Sequence, residues 1–371
     1  MIPVNEPLLD GNEKKYLNEC IDTGWISSEG PFIKKFEQGM SDYIGRNYAV
    51  SITNGTAALE LAIVALDIGL GDEVILPSFT IISCAQAVVK AGATPVLVDS
   101  DYYSFNMKVE DIEAKINNRT KAIMVVHIYG LPVDMNPILR LAKKYNLKII
   151  EDAAEMHGQT YNNKKCGSFG DISIFSFYPN KHITTGEGGM VLMDDKKLYE
   201  RCKLLRNLCF SQDGGKRFIH EELGWNLRMT NIQAALGVAQ LERIDEFVEK
   251  KRRIGNLYQM LLKDIHVINL PIEETKYAKN IYWVFAITLK ERYLKTTRQV
   301  MKELSEKGIG TRPFFYPMHQ QPVFQKMGLF AEESYPNAKK LYQQGFYIPS
   351  GLALTELQIE QVSNVMHEVL Q

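Results

Sequence analysis

Apolar residues along most of the chain fall into two alternating patterns. Short and almost uninterrupted apolar runs predict buried strands at 49–52, 73–76, 94–98, 121–128 and 147–151. Apolar residues at helical spacing between these runs predict helices that include 80–91 and 135–145. Because strands that are apolar throughout are covered on both faces, the pattern predicts an α/β fold built on a largely parallel sheet.

The rest of the chain predicts more helices and a second set of strands. Helices are predicted at 11–22, 31–44 and 195–206, a polar loop at 207–223, and one long helix at 230–263. Beyond it, alternating short strands and helices are predicted at 281–289, 296–306, 310–315, 335–342, 345–349 and 355–370. The 371 residues are therefore expected to divide into a large α/β domain at 1–245 and a smaller α+β domain at 246–371.

One lysine lies between two predicted strands. The alternating apolar residues of 172–177 predict a strand that ends before Pro179. Lys181 follows in a turn rich in glycine. A lysine held between buried strands loses hydration, which lowers the pKa of its ammonium and frees a nucleophilic amine. A lone lysine in a turn is more often an ordinary surface residue, so the interpretation depends on the rest of the chain.

Two other features can also be interpreted either as part of a functional site or as ordinary structural elements. The small-residue turn at 54–57 opens a helix whose first amides suit a phosphate or carboxylate, although Asn and Thr also cap ordinary helices. Asp152 follows a predicted strand, where α/β proteins gather ligands, although an acid there is often only a helix cap. Together with Lys181, these features match the phosphate, the ring nitrogen and the aldehyde of pyridoxal 5′-phosphate (PLP). The hydroxyl of Ser176 is expected to join the phosphate site.

Four ordered motifs narrow this interpretation. They are NGTAAL (54–59), IEDAAE (150–155), FSFYPNKHITTGEGGM (175–190) and GWNLRMTNIQAALG (224–237). In this order they resemble the DegT/DnrJ/EryC1/StrS family of PLP-dependent sugar aminotransferases, over nearly the whole chain. The resemblance implies PLP-dependent transferase fold type I, the aspartate aminotransferase-like fold. In that fold a large domain holds a mostly parallel seven-stranded sheet and is followed by a smaller C-terminal α+β domain.

The resemblance also assigns roles to individual residues. It implies that Lys181 is the catalytic residue, which forms the Schiff base with PLP and moves the proton of the 1,3-shift. Asp152 would pair with the pyridinium nitrogen, and Glu155 would lie beside the ring. Asn226 would reach the phosphate in the neighbouring subunit, which implies a homodimer with shared active sites. The other implied contacts are the phosphate ligands Gly55, Thr56, Ala57 and Ser176 and the substrate-site residues Trp25, Gly30 and His319.

Three positions leave alternatives open. His319 is equally compatible with a packed, hydrogen-bonded histidine. Ile81 stands where many relatives have an aromatic ring that stacks on the cofactor, so aliphatic packing or another residue must replace that contact. A related branch of the family has histidine in place of the catalytic lysine and dehydrates its substrate. Alignment through ITTGEGG places Lys181, not His182, at the catalytic position, which favours transamination.

The substrates are the least determined part of this interpretation. IPVNEPLL (2–9) and RPFFYPMHQQPVF (312–324) are most similar to family members that aminate C4 of GDP-4-keto-6-deoxymannose with glutamate, in the synthesis of surface polysaccharides. Another nucleotide sugar or a small phosphorylated ketose is an alternative acceptor. A non-catalytic PLP-binding module is a further alternative, although such a module would be expected to have lost Lys181 or Asp152.

Composition and charge argue against several other classes of function. Forty-three basic and 44 acidic residues leave a net charge of −1, which predicts neither nucleic-acid binding nor attraction to an acidic membrane. The five cysteines, at 20, 84, 166, 202 and 209, have no paired spacing and predict reduced thiols instead of disulfides or a metal site. With no signal-like start and no apolar run near ~20 residues, the sequence predicts a cytoplasmic protein.

Overall fold

The computed structural model of the chain describes residues 1–211 and 218–370. The predicted loop at 207–223 therefore lies partly outside the described residues, at 212–217. Within the described ranges, no helix combines the length and the apolar composition that crossing a membrane requires.

The strands and helices follow the predicted order closely. The strands are β1 (Tyr48–Ile52), β2 (Glu73–Pro77), β3 (Thr94–Val98), β4 (Thr120–Val126), β5 (Lys148–Asp152), β6 (Thr160–Tyr161), β7 (Lys164–Lys165), β8 (Ile172–Ser176), β9 (Gly189–Met193), β10 (Ile268–Asn269), β11 (Phe285–Leu289), β12 (Arg312–Pro313) and β13 (Gly345–Ile348). The helices are α1 (Glu13–Thr23), α2 (Pro31–Ile44), α3 (Gly55–Ala65), α4 (Ile82–Lys90), α5 (Met135–Tyr145), α6 (Lys196–Arg206), α7 (Asn231–Leu241), α8 (Ile244–Leu262), α9 (Thr297–Glu306), α10 (Pro322–Lys326), α11 (Pro336–Gln344) and α12 (Glu356–Leu370).

The large sheet has seven strands in the order β1-β9-β8-β5-β4-β2-β3. All of them run in the same direction except β9, which is antiparallel to both of its neighbours. This confirms the predicted mostly parallel sheet. Because β5 and β8 are parallel neighbours, with Asp152 in register with Ile174, the carboxyl ends of both strands lie at the same edge of the sheet. Ligands collect at this edge in open α/β sheets.

Both faces of this sheet are covered by helices. Successive residues of one strand point to opposite faces, so Ile149 packs in one hydrophobic cluster and Ile150 in the other. Helices α3, α4 and α6 contribute to the cluster that contains Ile150, and α1, α2, α5 and α7 contribute to the cluster that contains Ile149. This three-layer arrangement explains why the strands read as continuous apolar runs.

A second, antiparallel sheet has the order β10-β11-β13-β12 and packs against α8, α9 and α12. Chain segments cross between the two units in both directions. Ile2 packs in the core of the smaller unit and pairs with Ile309, whereas Phe314 and Ala338 pack in the cluster on the α3 face of the large sheet. The domain division at 245/246 stays a prediction.

The prediction of one long helix at 230–263 is wrong, because the chain forms two helices, α7 and α8, separated by Glu242 and Arg243. Arg243 has φ −118° and ψ 10°, outside the helical region. Its guanidinium binds Asp10 and Glu246, and Glu242 accepts a hydrogen bond from the hydroxyl of Tyr16. Contacts with the N-terminal segment thus accompany the break, which helical periodicity does not show.

Candidate active site

Lys181 lies in a turn fixed by several hydrogen bonds. Its backbone N–H donates to the carbonyl of Tyr178 at 2.9 Å, and the hydroxyl of Thr184 donates to the carbonyl of Phe177 at 2.8 Å. The Phe177 N–H in turn donates to Gly188 at 2.9 Å. Only 11% of the Lys181 side chain is exposed. The turn therefore holds the lysine in a defined, largely dehydrated position.

Two carboxylates lie close to the amine of Lys181. Asp152 ends β5, and Glu155 follows three residues later with its Oε1 4.0 Å from the Lys181 Nζ. Both carboxylates are buried. The other oxygen of Glu155 accepts a hydrogen bond from the backbone N–H of Tyr129 at 2.7 Å, which fixes the direction of this side chain.

Burial and charge act in opposite directions on these groups. Burial lowers the pKa of Lys181, and attraction to Glu155 and Asp152 raises it in part. Burial also raises the pKa of Glu155 and of Asp152, and attraction to Lys181 works against that rise. The neutral amine is therefore closer in free energy to the ammonium than in water, as a lysine nucleophile requires.

Asp152 is oriented by two hydrogen bonds. Its Oδ1 accepts from the N–H of Ala154 at 3.1 Å, and its Oδ2 accepts from the thiol of Cys84 at 3.4 Å. Burial raises the pKa of the Cys84 thiol, so the sulfur keeps its proton and acts as the donor. Sequence reasoning did not single out Cys84 as a site residue, because its contact depends on how α4 lies across the sheet. Ile81, directly before α4, is 44% exposed.

The N-terminus of α3 meets the end of β8. The side chain of Asn54 caps α3 and accepts a hydrogen bond from the Ala57 N–H at 2.8 Å, so that amide already has an internal partner. The amides of Gly55 and Thr56 are in the first turn, where a helix offers no acceptor. A Cβ placed on Gly55 would lie 2.7 Å from the Cβ of Ser176, which shows how closely the two segments approach.

The hydroxyl of Thr56 has a partner that sequence reasoning missed. It lies 2.9 Å from the hydroxyl of Ser83, which belongs to the first turn of α4. Ser83 follows Ile81 by two residues. The start of α3 therefore has the hydroxyl of Ser83 beside Thr56 and the hydroxyl of Ser176 beside Gly55.

These residues fit PLP. The α3 N-terminus offers first-turn amides and nearby hydroxyls for a phosphate, Asp152 offers a buried, oriented carboxylate, and Lys181 offers a dehydrated amine. The absence of a side chain at Gly55 lets Ser176 lie against the start of α3. Lys181, Asp152 and Glu155 are thus brought together as the sequence predicts.

Asn226 is exposed and does not reach this cluster within one chain. Its side-chain oxygen accepts a hydrogen bond from the Nε of Arg228 at 2.9 Å. The next residue, Leu227, accepts a hydrogen bond from the N–H of Thr53 at 3.0 Å, so the segment runs along the surface beside the start of α3. Its expected contact with the phosphate of a neighbouring subunit stays a prediction.

Trp25 and Gly30 line a separate cleft of about 900 Å³ beside the edge strand β1, and none of the residues expected to bind the cofactor lines it. Both are organised by the buried Asn231, which donates to the carbonyl of Trp25 at 2.8 Å. A Cβ on Gly30 would lie 2.4 Å from the Cγ of Asn231, and Gly30 has φ +153°, so only glycine suits this position. Their substrate role stays a prediction.

His319 has the contacts of a packed histidine. Its Nδ1 lies 2.8 Å from the hydroxyl of Ser78, and its ring meets that of Tyr335 edge to face with 5.0 Å between centroids. Burial lowers the pKa of His319. These contacts favour the packed alternative, and the substrate role of His319 stays a prediction.

Comparison with known proteins shows to which family this chain belongs. The model of the DegT/DnrJ/EryC1/StrS aminotransferase family matches residues 7–369. The chain belongs to this family. This aminotransferase is 44% identical over 370 residues to GDP-perosamine synthase from Escherichia coli O157:H7, covering 99% of this chain and 98% of that protein. It is also 44% identical to GDP-perosamine synthase from Caulobacter vibrioides, covering 100% and 98%.

Solved structures show the same fold. The aminotransferase TlmJ from Streptoalloteichus hindustanus matches with a TM-score of 0.92 at 27% identity, over 100% of this chain and 99% of that chain. Together with the family match, this confirms fold type I. The protein is a PLP-dependent aminotransferase.

Substituting Gly55 by alanine is expected to weaken PLP binding by the aminotransferase. The added Cβ would press on Ser176 and displace its hydroxyl from the phosphate, and a hydrogen bond to a charged group contributes about 1.5–3 kcal/mol, which corresponds to a roughly 10- to 150-fold higher Kd. Absorbance titration of the apoprotein with PLP measures this effect. The control is Gly69→Ala, whose Cβ would have its closest contact at an ordinary 3.5 Å. Equal affinity in the Gly55 and Gly69 variants would contradict the phosphate site.

Lys251, buried below the Lys181 turn, predicts a pH dependence of stability. Burial lowers the pKa of its ammonium to about 7, whereas an unfolded lysine has a pKa of about 10.4. Between these values the unfolded chain binds more protons, so this lysine makes the free energy of unfolding rise with pH. In the wild type, chemical unfolding at several pH values should show a free energy of unfolding that increases with pH by an amount on the order of a few kcal/mol. In Lys251→Met this increase should be absent. Identical pH slopes in the variant and the wild type would contradict this account.

Proposed function

We propose that this aminotransferase moves an amino group from glutamate to C4 of GDP-4-keto-6-deoxymannose, in the synthesis of a surface polysaccharide. The observation that carries the proposal is 44% identity, over essentially the full length, to GDP-perosamine synthases from two species. The arrangement of Lys181, Asp152 and Glu155 supports it, because it supplies the amine and the carboxylates that such a reaction needs.

The proposed binding roles follow from the positions of the side chains. The amides of Gly55 and Thr56, with the hydroxyl of Ser176, hold the phosphate of PLP at the start of α3. The carboxylate of Asp152 would accept a hydrogen bond from the protonated ring nitrogen and so keep that nitrogen cationic. When bound, PLP supplies the electron sink that makes the α-carbon of an amino acid acidic.

Lys181 is proposed to carry the proton. Its Nζ would take the proton from the α-carbon of glutamate and deliver it to C4′ of the cofactor. With the keto sugar, Nζ would move a proton in the opposite direction, from C4′ of the cofactor to C4 of the sugar. The burial that lowers the pKa of the ammonium makes the neutral form accessible for this step. Glu155, 4.0 Å from Nζ, stabilises the charge that the amine acquires when it accepts the proton. Both half-reactions therefore use one base.

We further propose that the enzyme is a homodimer in which Asn226 serves the partner's phosphate site. The exposed position of Asn226 supports this, because an exposed side chain can meet a second copy of the chain. Asn226→Asp would place a carboxylate against the phosphate and is expected to lower activity strongly, by like-charge repulsion.

Mixing two inactive variants tests this arrangement. Lys181→Ala and Asn226→Asp chains, unfolded and refolded together in equal amounts, should regain about a quarter of wild-type activity. Half of the dimers are then mixed, and each mixed dimer has one site with both native residues. Each variant refolded alone is the control. No recovery in a mixture shown to contain mixed dimers would contradict shared sites.

The identity of the amino acceptor can be tested by tracing the nitrogen of labelled glutamate into the product. Purified enzyme with PLP and ¹⁵N-glutamate should transfer ¹⁵N to GDP-4-keto-6-deoxymannose, giving a 4-amino product identified by mass spectrometry and NMR. The matched competitor is a dTDP-linked keto sugar, because a relative from Aneurinibacillus thermoaerophilus at 36% identity is a dTDP-3-amino-3,6-dideoxy-alpha-D-galactopyranose transaminase. A higher kcat/KM for the dTDP sugar would replace the proposed acceptor with that class.

A further inference from the structure

Trp283 covers the amine of Lys181, although it lies in the chain just before β11 of the second sheet. The Lys181 Nζ is 4.0 Å from the centroid of the indole ring. Trp283 is only 3% exposed. This geometry is a cation–π contact in a dehydrated environment, where such contacts are strongest.

The indole is held in place from several sides. Its Nε1–H donates to the carbonyl of Asn180 at 2.8 Å, so the ring is bonded to the residue directly before Lys181. Its own backbone carbonyl accepts a hydrogen bond from the buried Nζ of Lys251 at 2.8 Å. The same Nζ donates to the carbonyl of Ser350 at 2.5 Å, which anchors the Trp283 backbone to the smaller unit.

Trp283 also reaches the segment that orients Glu155. Its ring stacks near that of Tyr129, with 5.9 Å between centroids and 28° between planes. The backbone N–H of Tyr129 donates to Glu155 at 2.7 Å. One aromatic ring therefore contacts both the turn that carries the amine and the loop that fixes the carboxylate facing it.

We propose that Trp283 is a positioning residue for Lys181, whose indole face holds the free ammonium beside Glu155 whenever the lysine is not bonded to the cofactor. The proposal rests on the role proposed above for Lys181. The ring face attracts the charged form and limits the rotamers of the long side chain. After each proton transfer, the amine is thus kept where the next transfer requires it.

Two variants separate the ring from its hydrogen bond. Trp283→Phe keeps an aromatic face but loses the N–H donor, and Trp283→Leu loses both. Both leave a smaller side chain, so comparing them with each other removes most of the effect of the added space. Because the ring face favours the ammonium, the pKa of Lys181 should be lower in the Leu variant than in the Phe variant by about 0.5–1 unit.

The readout uses full-length apoprotein and needs no turnover. Acetic anhydride labels neutral amines, so the labelling rate of Lys181, followed by peptide mass spectrometry over a pH series, gives its titration midpoint. A midpoint in the Leu variant equal to or above that in the Phe variant overturns the proposal. In the holoenzyme, a positioning role also predicts that the Leu variant loses kcat more than it raises KM.

A second measurement remains informative if the Leu variant does not fold. The chain has three tryptophans, and in a Trp25→Phe/Trp225→Phe apoprotein only Trp283 emits. Its fluorescence should titrate with the midpoint found for Lys181 by labelling, and Lys181→Met should abolish that titration. Fluorescence that titrates unchanged in the Lys181→Met protein overturns the contact.

The outcomes distinguish this proposal from the proposed function. If Lys181→Ala keeps the visible absorbance of covalently held PLP, the assigned role of Lys181 is wrong and the Trp283 proposal is wrong with it. If Lys181 holds PLP but the Phe and Leu variants share one midpoint, only the Trp283 proposal is wrong.

Discussion

Replacing Lys181 with alanine is expected to lower the rate of amino transfer by at least about 10³-fold while leaving the protein folded. The substitution removes both the nucleophile that holds PLP and the base that moves the proton, and base catalysis alone contributes ~10²–10⁴-fold. The fold should persist, because the turn is fixed by backbone hydrogen bonds, such as that from Lys181 N–H to Tyr178, which alanine retains. The buried ammonium also costs free energy that alanine does not.

Steady-state kinetics and the visible absorbance of bound PLP measure this effect. Lys181→Arg is the matched variant, because it keeps a positive charge but remains protonated and cannot act as the base. It should lose activity as severely as the alanine variant. Lys263→Ala, at an exposed lysine after α8, is the surface control and should behave as wild type. Near wild-type turnover by Lys181→Ala would refute the assigned role.

Replacing Asp152 with asparagine should have the second largest effect, a loss of about 10²–10³-fold in kcat. An amide has nearly the same shape but no charge, so it cannot keep a pyridine nitrogen cationic, and removal of one pre-oriented electrostatic partner costs about this much. Stability should not fall in parallel. Burial raises the pKa of Asp152, so ionising this carboxyl opposes folding, and asparagine avoids that penalty.

If Asp152 has this role, its replacement should lower activity without lowering stability. Thermal unfolding of the Asp152→Asn apoprotein should occur at or above the wild-type temperature, while kcat falls. The control is Asp264→Asn, at an exposed carboxylate after α8, which should leave both quantities unchanged. A variant that loses stability and activity together would indicate a structural role for Asp152, and a variant that keeps full activity would contradict its proposed role at the ring nitrogen.

Much of the fold could be predicted because burial on two faces leaves a simple pattern in the sequence. The strands of the large sheet are apolar throughout, since helices cover both faces, and their order of appearance with intervening helices implies parallel pairing. The same rule brings Asp152 and the Lys181 turn together, because the ends of parallel strands meet at one sheet edge. The predicted proximity of Lys181 and Glu155 follows from this, at 4.0 Å.

The features that sequence reasoning missed depend on contacts between distant parts of the chain. Trp283 lies about a hundred residues after Lys181, and no local pattern shows that the second sheet delivers its ring to the amine. Cys84 reaches Asp152 only because α4 crosses the sheet edge at that point. The break at Arg243 follows charged contacts with the N-terminal segment, which do not change the apolar periodicity of the two helices.

The most direct test of the central claim is the visible absorbance of purified, PLP-loaded protein during two successive additions. Glutamate should remove the band of the lysine-held cofactor, and GDP-4-keto-6-deoxymannose should then restore it with formation of the 4-amino sugar. That sequence would establish both half-reactions with the proposed donor and acceptor. A band that glutamate leaves unchanged, or that the GDP sugar does not restore, would contradict the account.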